Sequence, residues 1–137
     1  MIRLIAVGRL KDTNLRACFD EYIKRLTGFT RVEVLELKNG KNPLDYVKPG
    51  ELVVALDESG ENLTSHALAD FIKRHQLTRD VVFILGGPNG LTPETIEKAD
   101  HQLSLSKMTF TSQLARLLLI EQIYRAFTII NGAKYHK

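Results

Sequence analysis

Cysteine is almost absent from this sequence, since Cys18 is the single one among 137 residues. One cysteine excludes an internal disulfide and a cysteine-rich zinc site. No run approaches the ~20 consecutive apolar residues that cross a bilayer, so no membrane association is expected. The first apolar run contains Arg3 and is too short and interrupted for a signal peptide. Together these absences favour a protein of the reducing cytoplasm.

The sequence also lacks the motifs of several enzyme classes. Its four histidines show no metal-ligand spacing and no carboxylate completes a set, so no metal is expected. The serines lack the strand–turn–helix context of a hydrolase nucleophile. Neither G-x-G-x-x-G nor a P-loop occurs, which argues against an ordinary dinucleotide or ATP site. Metal-dependent, serine-hydrolase and simple nucleotide-binding functions are therefore disfavoured.

No single sign of charge dominates, and the distribution is more informative than the total of +3. Residues 1–50 carry a net charge of +4, residues 51–99 carry −4, and residues 100–137 carry +3. Because both ends of the chain are basic, a polyanion could bind where they come together. A mixed soluble surface explains the same small excess.

What the sequence does contain is a regular alternation of apolar runs and helical patterns. The predicted strands are 2–7, 32–37, 52–56, 81–85 and 102–106. The predicted helices are 15–26 with Asn14 as cap, 65–75, one that begins at Thr92-Pro93, and 113–130. Cys18 lies among the apolar residues of the first helix, which predicts a small core residue. The alternation predicts one α/β domain over residues 1–137, with a mostly parallel sheet and flanking helices.

Ligands of parallel sheets bind beyond the carboxyl ends of the strands, so the segments that follow the strands are site candidates. One of them, 86–90, reads Gly-Gly-Pro-Asn-Gly. Consecutive glycines permit positive φ and let a ligand approach the backbone, although a tight turn without function explains them equally well. Asp57, after another strand, can accept a ribose hydroxyl, act as a base, or close a turn with Gly60.

The last predicted helix, 113–130, is apolar around nearly its whole circumference. A domain of 137 residues has little room to surround such a helix, so we infer a homodimer with this helix at or next to the interface. Glu121 and Arg125 lie four residues apart on it. They form either an ordinary stabilising ion pair or a pair that aims Arg125 at an anionic substrate.

The C-terminal segment is basic and aromatic, with Tyr135 and His136 between Lys134 and Lys137. Aromatic rings of this kind can stack on a nucleobase, and the lysines can contact phosphates. A disordered end of the chain is the alternative interpretation.

Several segments, taken in order, resemble one family over essentially the whole chain. They are Leu4-Ile5-Ala6-Val7-Gly8, Leu56-Asp57-x-x-Gly60, Leu85-Gly86-Gly87-Pro88-Asn89-Gly90-Leu91, Leu103-Ser104-Leu105-Ser106-Lys107-Met108-Thr109-Phe110, and the run from Arg116 to Lys137, R-L-L-L-I-E-Q-I-Y-R-A-F-T-I-I-N-G-A-K-Y-H-K. They resemble the small SPOUT-class methyltransferases that methylate N3 of a pseudouridine in large-subunit ribosomal RNA. The resemblance implies a C-terminal trefoil knot, S-adenosylmethionine bound in the knot, and a homodimer whose active site uses both subunits.

The resemblance also assigns residues. Those matched to the cofactor site are Leu56, Gly86, the adjacent Gly87, Leu105, Ser106, Lys107, Met108, Thr109 and Phe110. Arg125, Tyr135 and His136 match the substrate and catalytic group, with the tail folding over the site. Methyl transfer from a sulfonium depends mainly on positioning, and a cation such as Arg125 can stabilise the anion left when the base loses its imide proton. His136 is a candidate proton acceptor.

The sequence departs from the family pattern at three places, and these departures leave alternatives to a fully active methyltransferase open. Thr111-Ser112 stands where many members have Pro-His, Lys134 stands where members often have Pro, and the region between Leu37 and Leu52 is short. Ser112 can cap the last helix but cannot replace an imidazole. The alternatives are therefore a catalytically weakened, ribosome-binding dimer that keeps the cofactor pocket, and a small-molecule-binding protein unrelated to RNA. For the methyltransferase, we expect the assembled ribosome as substrate.

Overall fold

Five parallel strands form one sheet in the order β2-β1-β4-β3-β5 in the computed structural model, which describes all 137 residues. The strands are β1 (Ile2–Val7), β2 (Val32–Leu37), β3 (Leu52–Asn62), β4 (Val81–Leu85) and β5 (His101–Ser104). The helices are α1 (Thr13–Leu26), α2 (Ser65–Gln76), α3 (Pro93–Lys98) and α4 (Ser112–Ile130), with a short 3-10 helix at Pro43–Tyr46. The predicted α/β class with a parallel sheet and flanking helices is confirmed.

Strand β3 differs most from its prediction, because it continues six residues beyond Leu56 to Asn62. Its register with β5 shifts between Leu56 and Glu61, so the chain bulges there before pairing again. At Gly60 the two strands come so close that a Cβ atom would lie 2.7 Å from the carbonyl carbon of Gln102. The bulge therefore lies at the carboxyl end of β3, where a ligand is expected.

Helix starts are set by side-chain caps, two of which differ from the prediction. The cap of α1 is Asp12, not Asn14, and its carboxylate accepts the N–H groups of Asn14 and Leu15 at 2.9 and 3.0 Å. At α4 the cap is Thr111, which places Ser112 in the first turn. Thr92 caps α3 as predicted.

Cys18 is exposed, so the prediction of a core residue was wrong. The buried face of α1 is centred on Phe19 and Leu26. At ~100° per residue, Cys18 lies about 90° away from that centre, just outside the buried stripe.

The sheet separates two apolar cores. Helices α1, α2 and α4 cover one face, where Leu4, Phe83 and Ile123 belong to the larger core. The 3-10 helix and α3 accompany the smaller core on the other face, around Ile5 and Ile84. Helix α4 packs between α1 and α2, so one chain surrounds more of it than a domain of this length was expected to.

The apolar residues that α4 leaves exposed are Leu114 and Leu118, at 40% and 36% exposure. They lie one turn apart in the half of the helix nearest its start.

None of the helices combines the length and apolar character that a bilayer crossing needs. The homodimer and the knot stay predictions.

Candidate cofactor cleft and tail cluster

A cleft of about 410 Å³ opens at the carboxyl edge of the sheet, where the segments after β3, β4 and β5 meet. Its wall consists of residues 56–58, 85–91, 104–106 and 108–110, together with Ser112 and Ala115 from the first turns of α4. The parallel sheet explains this convergence, because all its carboxyl ends lie on one edge.

Most of the residues assigned to the cofactor by resemblance lie in this one wall. Those lining it are Leu56, Gly86, Gly87, Leu105, Ser106, Met108, Thr109 and Phe110. Lys107 belongs to the same loop but is exposed and does not line the cleft. Asp57 also lines it, and one of its carboxylate oxygens accepts the N–H and the hydroxyl of Ser59.

The two consecutive glycines of the 86–90 loop do not adopt the positive φ that glycine permits. Neither Gly86 nor Gly87 has positive φ, whereas Gly90 has φ +72°. A Cβ atom on Gly86 would lie 2.3 Å from the carbonyl carbon of Gly90, so the loop's own close approach requires glycine there. The N–H of Gly90 donates to the carbonyl of Gly87 at 2.9 Å and closes the turn. The loop is therefore a tightly folded wall whose shape depends on Gly86.

The loop after β5 carries unpaired backbone donors. Ser106 organises it, because its hydroxyl accepts the N–H of Met108 at 3.0 Å and its carbonyl accepts the Ser104 hydroxyl at 2.9 Å. The N–H groups of Leu105, Ser106, Thr109 and Phe110 make no hydrogen bond within the chain. Unsatisfied backbone donors in a concave wall favour a ligand with acceptor atoms, such as an adenine edge or a carboxylate.

Arg125, Tyr135 and His136 come together in a second group, the tail cluster, with Glu121 at its centre. Glu121 Oε1 accepts from Arg125 Nη2 at 2.6 Å, from Arg125 Nε at 3.0 Å and from the Tyr135 hydroxyl at 3.1 Å. The Arg125 guanidinium also lies 4.8 Å from the Tyr135 ring centroid. The tail is packed on the domain, since the Tyr135 hydroxyl lies 3.2 Å from that of Tyr22.

Arg125 determines which tautomer His136 adopts. Arg125 Nη1 lies 3.0 Å from His136 Nδ1. A guanidinium can only donate, so Nδ1 must accept and the ring hydrogen must be on Nε2. In this arrangement His136 presents an N–H donor on its outer nitrogen, and its ring lies edge-to-face with that of His66 at 4.7 Å.

The same contacts fix the charges of the cluster. Burial raises the pKa of the Tyr135 phenol above its ordinary value, and the Tyr22 hydroxyl and the Glu121 charge add to the effect. The hydrogen bond with Glu121 raises the pKa of Arg125. At neutral pH Tyr135 is therefore a neutral donor and Arg125 a permanent cation, so neither can accept a proton.

Within one chain the tail cluster lies apart from the cleft. Ala115 lines the cleft, and Arg125 follows it ten residues later on the same helix. A rise of 1.5 Å per residue separates them by about 15 Å along the axis. No residue of the tail cluster lines the cleft.

The sequence of the chain matches, over residues 1–136, the model of a family described as predicted SPOUT methyltransferase. The chain belongs to the SPOUT methyltransferase family. Three relatives are named ribosomal RNA large subunit methyltransferase H. The Desulfotalea psychrophila protein is 44% identical over 149 residues, with 98% of this chain and 97% of the relative covered. The Carboxydothermus hydrogenoformans and Clostridium botulinum (strain Kyoto) proteins are 40% and 36% identical over 157 residues, with 99% of each chain covered.

Two solved structures share the fold of this SPOUT methyltransferase. A probable methylase family protein from Haemophilus influenzae superposes with a TM-score of 0.66 at 14% identity, covering 99% of this chain and 70% of that one. A probable methyltransferase from Bordetella pertussis gives 0.62 at 15%, covering 92% and 95%. At these identities the likeness supports the α/β architecture alone.

Sequence reasoning missed the contacts of Arg116, which is only 3% exposed in this SPOUT methyltransferase. Its Nη1 donates to Glu36 Oε2 at 2.8 Å and its Nη2 to the carbonyl of Gly8 at 3.2 Å. Glu36 also binds Arg16 at 2.7 Å and accepts the N–H of Leu10 at 2.8 Å. These bonds tie α4 to the carboxyl ends of β1 and β2, next to the cleft.

The pKa directions of this ion cluster follow from burial and pairing. Burial lowers the pKa of Arg116, while the charge of Glu36 opposes the shift. Burial alone would raise the pKa of Glu36, but the Leu10 N–H and the two arginines outweigh it and leave that pKa low. The one available signal was the position of Arg116 on an apolar helix, away from the polar group of Glu121, Gln122 and Arg125. In the structure, no cluster of three or more histidine, cysteine or acidic side chains has an arrangement that could hold a metal ion.

Proposed function

We propose that the chain transfers a methyl group from S-adenosylmethionine to N3 of a pseudouridine in large-subunit ribosomal RNA, on the assembled ribosome. The observation that carries the proposal is the cleft at the carboxyl ends of β3–β5, with free N–H donors in the loop after β5, in a chain of the SPOUT methyltransferase family. The names of relatives up to 44% identical over nearly their whole length support the RNA substrate.

The cleft suits S-adenosylmethionine in size and donor pattern. Its volume of about 410 Å³ lies in the range of small-molecule sites. The free N–H groups of Leu105, Ser106, Thr109 and Phe110 would hold acceptor atoms of the adenine or the amino-acid part. Asp57, whose second oxygen has no protein donor, would accept a ribose hydroxyl. The bound cofactor supplies a methyl group on a positively charged sulfur.

The site requires a second subunit in this proposal. The tail cluster lies about 15 Å along α4 from the cleft, too far to act on a methyl group held there. Exposed apolar side chains border the cleft, namely Met108, Phe110, Leu114 and Leu118. We propose that a two-fold dimer buries this border and brings the tail cluster of one subunit over the cleft of its partner.

The residues of the tail cluster then have defined tasks. When bound, S-adenosylmethionine would supply its methyl group to N3 of the base, with the sulfur keeping the electron pair of the carbon–sulfur bond and the N3 proton leaving to water. Arg125, a permanent cation held by Glu121, stabilises the negative charge that develops on the imide. His136 donates from Nε2 to a carbonyl oxygen of the base, a task that suits its tautomer better than proton acceptance. The Tyr135 ring can stack on the target base.

The experiment uses ³H-methyl-labelled S-adenosylmethionine and 70S ribosomes from a bacterial strain that lacks the corresponding methyltransferase. We expect label in large-subunit RNA, about 10²-fold or more slower transfer with Arg125→Ala, and little transfer to protein-free RNA. The absence of transfer, with ribosome binding intact, would overturn the enzymatic proposal. That result would favour the alternative of a catalytically weakened, ribosome-binding dimer. Ser112, the residue that suggested this alternative, lies in the cleft wall.

A further inference from the structure

Two basic loops follow β1 and β2 beside the cofactor cleft. The first carries Arg9 and Lys11, and the second carries Lys38 and Lys41. All four side chains are exposed, and none forms an ion pair or a side-chain hydrogen bond. We call these four residues the basic rim. Unpaired cations on neighbouring loops are free to meet an external anion.

The first loop holds its two cations in fixed positions. Leu10 lies between them and is 2% exposed, so it anchors the loop in the core. The N–H of Leu10 donates to Glu36 at 2.8 Å, and the same carboxylate is held by Arg16 and Arg116. Arg9 and Lys11 are therefore presented on either side of a buried anchor, with little backbone entropy left to lose on binding.

The second loop is a tight turn. The N–H of Lys41 donates to the carbonyl of Lys38 at 3.2 Å, and Gly40 has φ +91°. The ends of such a turn lie within 7 Å of each other, so the two lysines form one local patch of charge. The carboxylates next to the two loops are engaged elsewhere, because Asp12 caps α1 and Glu36, on β2, binds Arg16 and Arg116.

The rim lies directly beside the cleft. Strand β4, whose following loop lines the cleft, pairs with β1, and β1 pairs with β2. Strands are ~4.8 Å apart, so the basic loops lie roughly 5 and 10 Å from the 86–90 loop. Asn39, between the two lysines, has its side-chain oxygen 3.8 Å from a Cβ built on Gly87. Charges at that range act on a molecule in the cleft within about one Debye length.

We propose that the basic rim is the RNA-docking surface of this chain, where it binds the phosphates that flank the target nucleotide. This inference rests on the proposed function, since it takes the base that meets the cofactor at the mouth of the cleft to be part of an RNA strand. An RNA strand carries one phosphate per nucleotide. The basic rim offers a matching row of cations that begins beside the cleft and continues past the ends of β1 and β2. The rim supplies affinity and register, while base recognition belongs to the cleft and the tail cluster.

The chain offers a matched control at the opposite edge of the sheet. Lys24, Arg31, Lys48 and Lys73 are exposed, form no ion pair, and lie shortly before β2, β3 or β4. The rim variant combines Arg9→Ala, Lys11→Ala, Lys38→Ala and Lys41→Ala. The control variant replaces the four cations of the amino edge by alanine. Both lose four positive charges, three lysines and one arginine, so net charge cannot distinguish them.

Binding to 70S ribosomes is measured between 50 and 200 mM KCl. Each phosphate contact on a single strand contributes about 0.7 to the slope of log K against log salt, so the rim variant should lose about 3 from the slope. Over this range, the original chain then loses roughly 50-fold more affinity than the rim variant. The control variant keeps the original slope, and all three proteins bind S-adenosylmethionine equally.

Equal slopes for the rim and control variants would overturn the inference. So would rim-dependent binding to phosphatidylglycerol vesicles with ribosome binding unchanged, because the surface would then face a membrane. The proposed function fails separately, through a lack of methyl transfer by the unmodified chain. The binding slopes can be measured in either case. Circular dichroism of both variants checks that they remain folded.

Discussion

Replacing Glu121 by glutamine tests whether one carboxylate holds the tail cluster together. Its Oε1 binds Arg125 twice and Tyr135 once. The Arg125 and Glu121 side chains are 24% and 15% exposed, between a surface pair and a buried one. Surface pairs contribute up to about 1 kcal/mol, whereas breaking a buried pair costs 3–5 kcal/mol, so we take ~2 kcal/mol for docking of the tail.

A loss of ~2 kcal/mol corresponds to about 30-fold in an equilibrium constant. We expect Glu121→Gln to lower kcat/KM for ribosome methylation by ~10- to 30-fold. The affinity for S-adenosylmethionine should not change, because Glu121 does not line the cleft. Undocking of the tail is local, so the melting temperature should move little. Tryptic cleavage after Lys134 should become faster and can be followed by mass spectrometry.

The matched control is Glu94→Gln. Glu94 pairs with Lys98 at the same i,i+4 spacing and a distance of 2.7 Å, but both side chains are more than 60% exposed. It should change neither kcat/KM nor the cleavage after Lys134. The role assigned to Glu121 is refuted if Glu121→Gln accelerates tail cleavage while kcat/KM stays within twofold of the original. It is equally refuted if the cofactor affinity falls in parallel with the rate.

Other contacts give further expectations. Glu36→Gln leaves the charge of the buried Arg116 uncompensated and should lower the free energy of unfolding in urea by about 3–5 kcal/mol. The double variant Glu36→Gln/Arg116→Met should lose less stability than Glu36→Gln alone; an equal loss would contradict the pairing. Because the pKa of Tyr135 is raised on folding, its contribution to stability is complete below about pH 10 and declines as the pH rises further; Tyr135→Phe should remove that decline from melting curves. Gly86→Ala should abolish measurable cofactor binding by calorimetry, because its Cβ meets the backbone of the same loop; retained affinity would show that the loop can relax. Leu118→Lys should shift the chain towards a monomer in sedimentation experiments and reduce methyl transfer; an unchanged mass would argue against the proposed interface.

The bounds of the strands were predicted best where the side chains follow a hydrophobic pattern. The apolar runs 2–7 and 81–85 and the alternating run 32–37 have the bounds of β1, β4 and β2. The second half of β3 is polar, and it pairs with β5 through backbone bonds that leave no hydrophobic pattern. The cap of α1 was misplaced because Asp12, Thr13 and Asn14 can all cap a helix.

The candidate site was predictable in part. Spacing alone marked the loops after the strands, and only the family resemblance assigned individual residues to the cofactor. No local pattern could pair Arg116 with Glu36, since 80 residues separate them and burial alone gives the pair its importance. Likewise, the tautomer of His136 depends on a contact with Arg125 that only the folded tail creates.

Helix α4 also constrains how the length of this chain can vary. It starts in the cleft wall and carries Arg125 near its other end, so it fixes both the spacing and the angular phase of the two. One inserted residue between Ala115 and Arg125 would turn the guanidinium by ~100° about the helix axis and move it by 1.5 Å. The segment between Lys41 and β3 has no such constraint, because it carries no residue of the cleft, the tail cluster or the basic rim. Natural insertions and deletions should therefore accumulate in the loops between β2 and β3, while α4 keeps a constant number of residues.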